Sequence, residues 1–418
     1  MMLRSRMVRS WVLLVLLALP SVALAANKTA QSVEQLLQQF DDYFLTQMKK
    51  HKVPGGAYAI VYGDQVLRLR PYGVRKQRSS AAVDIHTTFR LASVSKTFAA
   101  TLAAKQAHSG AFKWSDPVLD YVPELQFKTQ GHAEKLEVKN LLSHTSGLVP
   151  NAYDNLIEAG QSLPKILPQF KKLKPLCKPG QCYGYQNVLY SMIEQVIEQT
   201  NPLSYEDLMQ RDIFNPLGMK HASLGRDAFI NNPNHATGHL KLKRGWYPKS
   251  PKRDYYNFPA AAGVNASILD MSKWLVAQLG HRPDVLSHDV LLDMQQANIT
   301  TRRDLKRRQW RNYLKRAEYG LGWRLYDFAG TDLVYHGGWV AGFRADLAYA
   351  PELDIGVVVL LNAESHAINF VTTRFWDMMT QPNSLSLLAE HKPAPERRQQ
   401  STLLLRNAHI QPYRSHEL

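Results

Sequence analysis

Cysteine is scarce: the 418 residues hold two, Cys177 and Cys182. Without paired histidines nearby, two thiols do not make a structural zinc site. A G-x-S-x-G elbow, an H-E-x-x-H pair and a phosphate-binding Walker loop are all missing. The usual supports for a nucleophile-elbow hydrolase, a zinc protease and a P-loop enzyme are therefore absent. Beyond the first 25 residues no run is long and apolar enough to span a bilayer. Acidic residues are also short, 35 Asp and Glu against 51 Lys and Arg, which leaves a net charge of +16.

The first residues read as an export signal. Arg4, Arg6 and Arg9 precede the apolar run Trp11 to Leu19, and Ala23-Leu24-Ala25 is a small-x-small cleavage site. Residues 1–25 are thus expected to be removed, leaving a periplasmic or secreted chain. In that compartment nucleic acid is not the expected partner of so basic a protein. An anionic envelope surface, loosely bound, is. The densest basic run is Arg302 to Arg316, with eight Lys or Arg and one Asp, and it reads as a solvated helix face. Export also favours pairing of Cys177 with Cys182, with Pro179-Gly180 turning between them. So short a loop would contribute roughly 2 kcal/mol by restricting the unfolded chain.

Periodicity gives the organisation. Leu36, Leu37, Phe40 and Phe44 mark a helix over 32–50. Gly55 to Arg75 reads as a hairpin turning at Gly63-Asp64. An alanine-rich helix covers 93–108, and helical pieces are expected at 135–143, 186–199 and 203–213. Ser267 caps a helix to Leu279, with Asp270 three residues on. Leu333 to Tyr335, Phe343 to Ala350 and Ile355 to Leu361 are β-rich, and Ile368 to Met379 closes as a helix. The fold class is α/β: an antiparallel sheet from both chain ends (about 32–88 and 317–382), flanked by helices, with a mainly helical part over 89–316. One domain is expected over 26–390, followed by a mobile tail over 391–418.

Three short patterns carry the chemistry. Ser93-Val94-Ser95-Lys96 places a hydroxyl and an amine on one helical face. Serine needs a base to become a nucleophile, and a lysine serves only if its pKa is depressed. Leu91, Ala92, Val94, Phe98, Ala99 and Leu102 would bury this helix, and its N-terminus favours a developing anion. Ser162-Leu163-Pro164-Lys165 is a rival copy, broken by its proline. Tyr185-Gln186-Asn187 offers a phenol to relay protons and an amide to bind one. Tyr153-Asp154-Asn155 and Tyr255-Tyr256-Asn257 repeat that pattern. His336-Gly337-Gly338 lies between β-rich runs, where glycines permit close approach to a ligand.

In this order and spacing the patterns resemble the serine β-lactamase and penicillin-binding-protein superfamily. The class C β-lactamases and related DD-peptidases and esterases are the nearest in pattern. Phe89 to Phe98, Leu141-Leu142-Ser143-His144-Thr145-Ser146-Gly147-Leu148, Phe214 to Met219, Ala262 to Asn265 and Tyr319-Gly320-Leu321-Gly322-Trp323 extend the likeness over about 32–382. The resemblance implies a β-lactamase/transpeptidase-like fold and a serine hydrolase. Ser93 would be acylated, while Lys96 and Tyr185 share proton transfer. Asn187, aided by Asn151, would bind the substrate amide. His336 and Gly338 would line the substrate site, with the protonated His336 ring binding a carboxylate. The backbone N–H groups of Ser93 and Trp339 would form the oxyanion hole. No metal or cofactor is implied, and a monomer is expected. The substrate would be a β-lactam, with a D-Ala-D-Ala peptide or a small ester as alternatives. A muropeptide-binding protein without activity is the alternative of another class. One departure stands out: class C β-lactamases usually carry Lys-Thr-Gly where this chain has His336-Gly337-Gly338-Trp339.

Overall fold

A computed structural model of the chain describes residues 32–391. The signal over 1–25 and the tail over 391–418 fall outside these residues, save residue 391 itself. In chain order the strands are β1 (Gly55–Tyr62), β2 (Gln65–Gly73), β3 (Thr88–Arg90) and β4 (Ser223–Leu224). Then come β5 (Gly238–Leu242), β6 (Gly245–Lys249), β7 (Val264–Ser267) and β8 (Ile299–Thr300). The last five are β9 (Leu314–Tyr319), β10 (Arg324–Phe328), β11 (Thr331–Val340), β12 (Phe343–Ala350) and β13 (Ile355–Leu361).

Eight of them form one antiparallel sheet in the order β2-β1-β13-β12-β11-β10-β9-β8. The two ends of the chain meet where β1 pairs with β13. Every residue of both strands is buried. Such continuous apolar runs belong to strands covered on both faces. Ala57, Ala59 and Val61 point into the main core with Val358, Leu360 and Trp274. From β1, Tyr58 meets Phe40 edge-on, and Phe40 in turn meets Phe375. Helices Ile268–Gln278 and Ala367–Met379 supply the two covers. Burying each large aliphatic side chain here contributes roughly 1.5–3 kcal/mol.

The capping box at the start of helix 268–278 forms as its sequence suggests. Ser267 accepts from the Asp270 N–H, and Asp270 accepts from the Ser267 N–H. The stretch 89–316 is less uniformly helical than its periodicity suggests. It holds the three-stranded sheet β3-β7-β4 and the hairpin β5–β6. Expected helices break into short pieces: Asn187–Ser191 and Ile193–Gln199 replace one helix over 186–199. A separate helix spans Pro382–His391.

The basic run is a clear correction. Residues 302–316 form no helix, but two 3-10 turns, Asp304–Lys306 and Trp310–Asn312, leading into β9. Trp310 is fully buried, and Arg307 donates to the hydroxyls of Tyr326 and Tyr335. These two side chains face protein and break the helix, while the other seven Lys and Arg of the run are exposed as expected. Strand β11 is also longer than Leu333 to Tyr335, because Gly337 and Gly338 continue it. A Cβ on Gly338 would sit 2.2 Å from the Leu91 carbonyl oxygen. The glycine thus lets β11 run against the segment that carries Ser93.

Candidate active site

The nucleophile segment leaves β3, and Leu91 N–H donates to Val264 O of β7. Ala92 then adopts φ 51°, a left-handed conformation that costs a non-glycine residue roughly 1–2 kcal/mol. This bend starts the 3-10 turn Ala92–Val94, followed by the helix Ser95–His108. Ser93 therefore sits at the mouth of the helix, half-buried, and caps nothing.

One turn on, Lys96 is fully buried. Its Nζ lies 3.5 Å from Ser93 Oγ, and it donates to Asn187 Oδ1 at 2.7 Å and Ala261 O at 3.0 Å. Burial lowers its pKa to about 7, against the upward pull of Asp154 and with a further push down from Arg324. A lysine in this state is substantially neutral at physiological pH and can accept a proton. Tyr185 lines the cleft with Ser93, and its ring centroid lies 4.8 Å from Lys96 Nζ. Burial pushes its pKa up to about 12, although Ser93 and Arg324 pull it down. It is a phenol at neutral pH, able to pass a proton rather than to act as a standing base. Ser93, Lys96 and Tyr185 are thus within reach of one another. Ser162, the rival serine, stands at the N-cap position of a short helix over Leu163–Ile166, with no side-chain cap bond.

The 177–182 loop delivers Tyr185. Cys177 and Cys182 are joined in a disulfide. Leu176 N–H donates to Gly147 O, Gly180 N–H to Thr145 O and Gly184 N–H to His144 O. These bonds tie the loop to the Ser143–Leu148 segment. There His144, buried at φ 58°, lays its ring 4.2 Å from that of Tyr185 and accepts from Gln186 N–H. Burial, with Lys96 and Arg324, holds His144 well below its usual pKa. It is a neutral shelf for the tyrosine.

Asn187 and Asn151 both border the cleft. Asn187 is already engaged: besides accepting from Lys96, its Nδ2 donates to Asp154 Oδ2 at 2.8 Å. Asn151 is exposed, and its backbone N–H donates to Tyr185 O at 2.7 Å. Ser93, Gly338 and Trp339 line the same cleft, which holds about 810 Å³.

His336 does not occupy the position its motif suggests. It is 1 % exposed and absent from the cleft lining. Its Nδ1 lies 3.0 Å from Gly337 O, which can only accept, so Nδ1 carries the proton. Nε2 then accepts from Tyr319 OH at 3.1 Å. Burial, Arg324 and Lys96 hold its pKa well below the usual value. A neutral ring with both nitrogens engaged has nothing left for a substrate carboxylate. The expected protonated His336 is replaced by a packing residue behind Tyr185 and Tyr319.

The cation is elsewhere. Arg324, Arg307, Asp304 and Tyr335 line the wall facing Tyr185. Arg324 donates to Asp304 and lies 5.6 Å from the Tyr185 ring centroid. Asp304 also accepts from Tyr326 OH at 3.0 Å and Thr301 Oγ1 at 3.1 Å. Burial alone would raise its pKa, but Arg324 and Arg307 hold it below the usual value. Tyr335 OH donates to Asp346, whose pKa burial raises. Two arginines thus share this wall with the carboxyls of Asp304, which they hold ionised, and Asp346. Sequence reading missed this wall and Asp154. The only signals were Arg324 directly after the Tyr319-to-Trp323 landmark, and Asp154 inside the repeat set aside at Tyr153. At the lip, Trp339 is 62 % exposed, with Nε1 donating to Glu364 at 2.9 Å. Among the described residues no group of three or more His, Cys, Asp or Glu is arranged to hold a metal ion.

Comparison with known proteins bears on the fold and the family. The structure is similar to an octameric penicillin-binding protein homologue from Pyrococcus abyssi. The TM-score is 0.73 at 23% identity, over 82% of this chain and 77% of the other. A penicillin-binding protein from Bacillus halodurans gives 0.65 at 19%, over 80% and 99%. Among sequences, the chain is 25% identical to "Unguisins hydrolase ungD" of Aspergillus violaceofuscus (strain CBS 115571), over 77% of this chain and 60% of that protein. It is 23% identical to "Protein flp" of Staphylococcus aureus (strain NCTC 8325 / PS 47), over 79% and 64%. The chain thus spans somewhat under two thirds of the curated relatives it matches. The family model described as Beta-lactamase matches residues 34–373, and the chain belongs to that family.

Proposed function

We propose that this protein is an exported serine hydrolase that cleaves an amide bond in a carboxylate-bearing substrate through an acyl-enzyme on Ser93. The observation that carries the reading is the meeting of Ser93 with the Lys96 amine and the Tyr185 phenol, the lysine being held near neutrality. Ser93 Oγ attacks the carbonyl carbon as its proton moves to Lys96, directly or with Tyr185 taking it while passing its own phenolic proton on. Backbone N–H groups of Ser93 and Trp339 hold the oxyanion. Collapse breaks the C–N bond, and the leaving nitrogen takes the proton back. Water then hydrolyses the ester and frees Ser93. Members of the family are typically serine hydrolases, and the fungal relative is named a hydrolase.

Arg324 and Arg307 support a carboxylate on the substrate, the feature that β-lactams and D-Ala-D-Ala peptides share. β-Lactam hydrolysis is the leading reaction and D-Ala-D-Ala peptide cleavage the second. Small esters need only the serine chemistry. The site of action is the periplasm or the exterior, where the basic chain can rest on anionic envelope polymers. Parallel turnover of nitrocefin, a D-Ala-D-Ala peptide and a neutral p-nitrophenyl ester tests the reading. Turnover of nitrocefin or the peptide at higher kcat/KM than the ester supports it. Ester turnover alone shifts the protein to an esterase, and no turnover of any of the three favours a binding protein.

A further inference from the structure

Asp154 has no part in the chemistry described so far, yet it borders the cleft at the start of the short helix Asp154–Glu158. A chain of short contacts runs from it to the nucleophile. Asp154 Oδ2 accepts from Asn187 Nδ2 at 2.8 Å, Asn187 Oδ1 accepts from Lys96 Nζ at 2.7 Å, and Lys96 Nζ reaches Ser93 Oγ at 3.5 Å. The middle link has a direction. An amide can present its oxygen to an ammonium or an amine only if its nitrogen points the other way, and a carboxylate can only accept. Asp154 therefore fixes which end of Asn187 faces Lys96. Tyr255 OH approaches the same Oδ2 at 3.5 Å, while Oδ1 is buried without a partner. Lys96 is the cation coupled to this carboxylate.

We infer that Asp154 is a positioning residue: through the Asn187 amide it orients the acceptor for Lys96, and through its charge it sets how readily Lys96 holds a proton. This rests on the reading of Lys96 as the base for Ser93. The groups around Lys96 divide clearly. Arg324 from β10, together with His144 and His336, which its charge helps to hold neutral, disfavours the ammonium or adds no negative charge. Tyr185 and Tyr190 present ring faces at 4.8 and 5.2 Å, and Ser93, Asn187 and the Ala261 carbonyl are neutral. Asp154 is the nearby anion that favours the ammonium. Around Asp154 itself, burial and Glu158 raise its pKa, while the bonds from Asn187 and Tyr255 and the Lys96 charge favour its ionised form.

The experiment is the pH dependence of kcat/KM for wild type and Asp154→Asn, using whichever of the three substrates turns over. An asparagine can still accept from Asn187 Nδ2, so the link remains while the charge goes. Activity needs neutral Lys96, so the acid limb follows the Lys96 pKa. Loss of the anion lowers that pKa, and the limb is expected to move to lower pH by about one unit. The variant then loses less activity than wild type between pH 7 and pH 6. Carbon NMR of Lys96 Cε in lysine-labelled protein should show the same shift at equilibrium, independent of turnover. Asp154→Ala, which also frees Asn187, is expected to shift the limb equally and to lower kcat about tenfold. An acid limb and a Lys96 titration that stay put in Asp154→Asn overturn the inference. Fluorophosphonate labelling of Ser93 separates the two levels. If Ser93 still labels while the limb is unmoved, only the role of Asp154 fails. If Ser93→Ala labels as well as wild type, the nucleophile assignment fails too.

Discussion

The two walls of the cleft are built in different ways. One wall is local: Ser93 and Lys96 lie one helical turn apart, and Tyr185 and Asn187 lie two residues apart. The other wall is assembled from a distance. Arg324 sits on β10, its partner Asp304 in a 3-10 turn 20 residues earlier, and Arg307 between tyrosines from β10 and β11. The first wall holds the bond-making groups with depressed charge, the second holds fixed charge. Short spacing suffices for the first because helix geometry brings i and i+3 together. Nothing local indicates the second, because sheet pairing between distant segments creates it.

Lys96→Ala should break the first wall outright, with kcat falling by about ten-thousand-fold, as when members of a catalytic unit are removed. Steady-state turnover checks it. Arg324→Ala should weaken carboxylate binding, raising KM for an anionic substrate about 10–100-fold, besides moving the acid limb of kcat up as Lys96 loses a neighbouring cation. KM for a neutral ester should change far less. Equal effects on both substrates would mean that Arg324 serves Tyr185 rather than the substrate.

The pH profile separates the walls further. kcat/KM should rise through a pKa of about 7, the Lys96 value. KM for an anionic substrate should not improve as pH falls through 6.5, because His336 stays neutral there. A marked improvement would return the carboxylate to His336.

The smallest effect concerns support for the local wall. Glu194 is half-buried, accepts from Ala260 N–H at 2.7 Å and so steadies the turn whose next carbonyl, that of Ala261, binds Lys96. Burial raises its pKa to about 8 from an ordinary 4.5. The native state therefore holds the proton more tightly than the unfolded chain. Its stabilising contribution is complete below about 4.5 and is lost as pH rises to about 8. Glu194→Gln should add on the order of 2 kcal/mol at pH 9 and little at pH 4. Thermal melts at the two pH values check it.

What could be read from sequence follows the same divide. The hairpin at Gly63-Asp64, the capping box at Ser267 and the strands Phe343–Ala350 and Ile355–Leu361 are local patterns, and the structure reproduces them. Gly337 and Gly338 read as a break, yet they continue a strand that needs their missing Cβ to pass Leu91. The basic run at 302–316 is solvated at seven of its eight cations, but Arg307 turns inward to Tyr326 and Tyr335, which lie beyond it in the chain. His336 is the sharpest case. Its motif marks its place in the fold, but burial and the bond to Tyr319 decide what it can do. Neither is visible in a triplet of letters.

The central claim is that Ser93 is the acylated residue. Mass spectrometry of peptides after treatment with a fluorescent penicillin or a fluorophosphonate tests it most directly. The account predicts one adduct, on the peptide containing Ser93, absent in Ser93→Ala. An adduct on another residue, or undiminished labelling of Ser93→Ala, would contradict it.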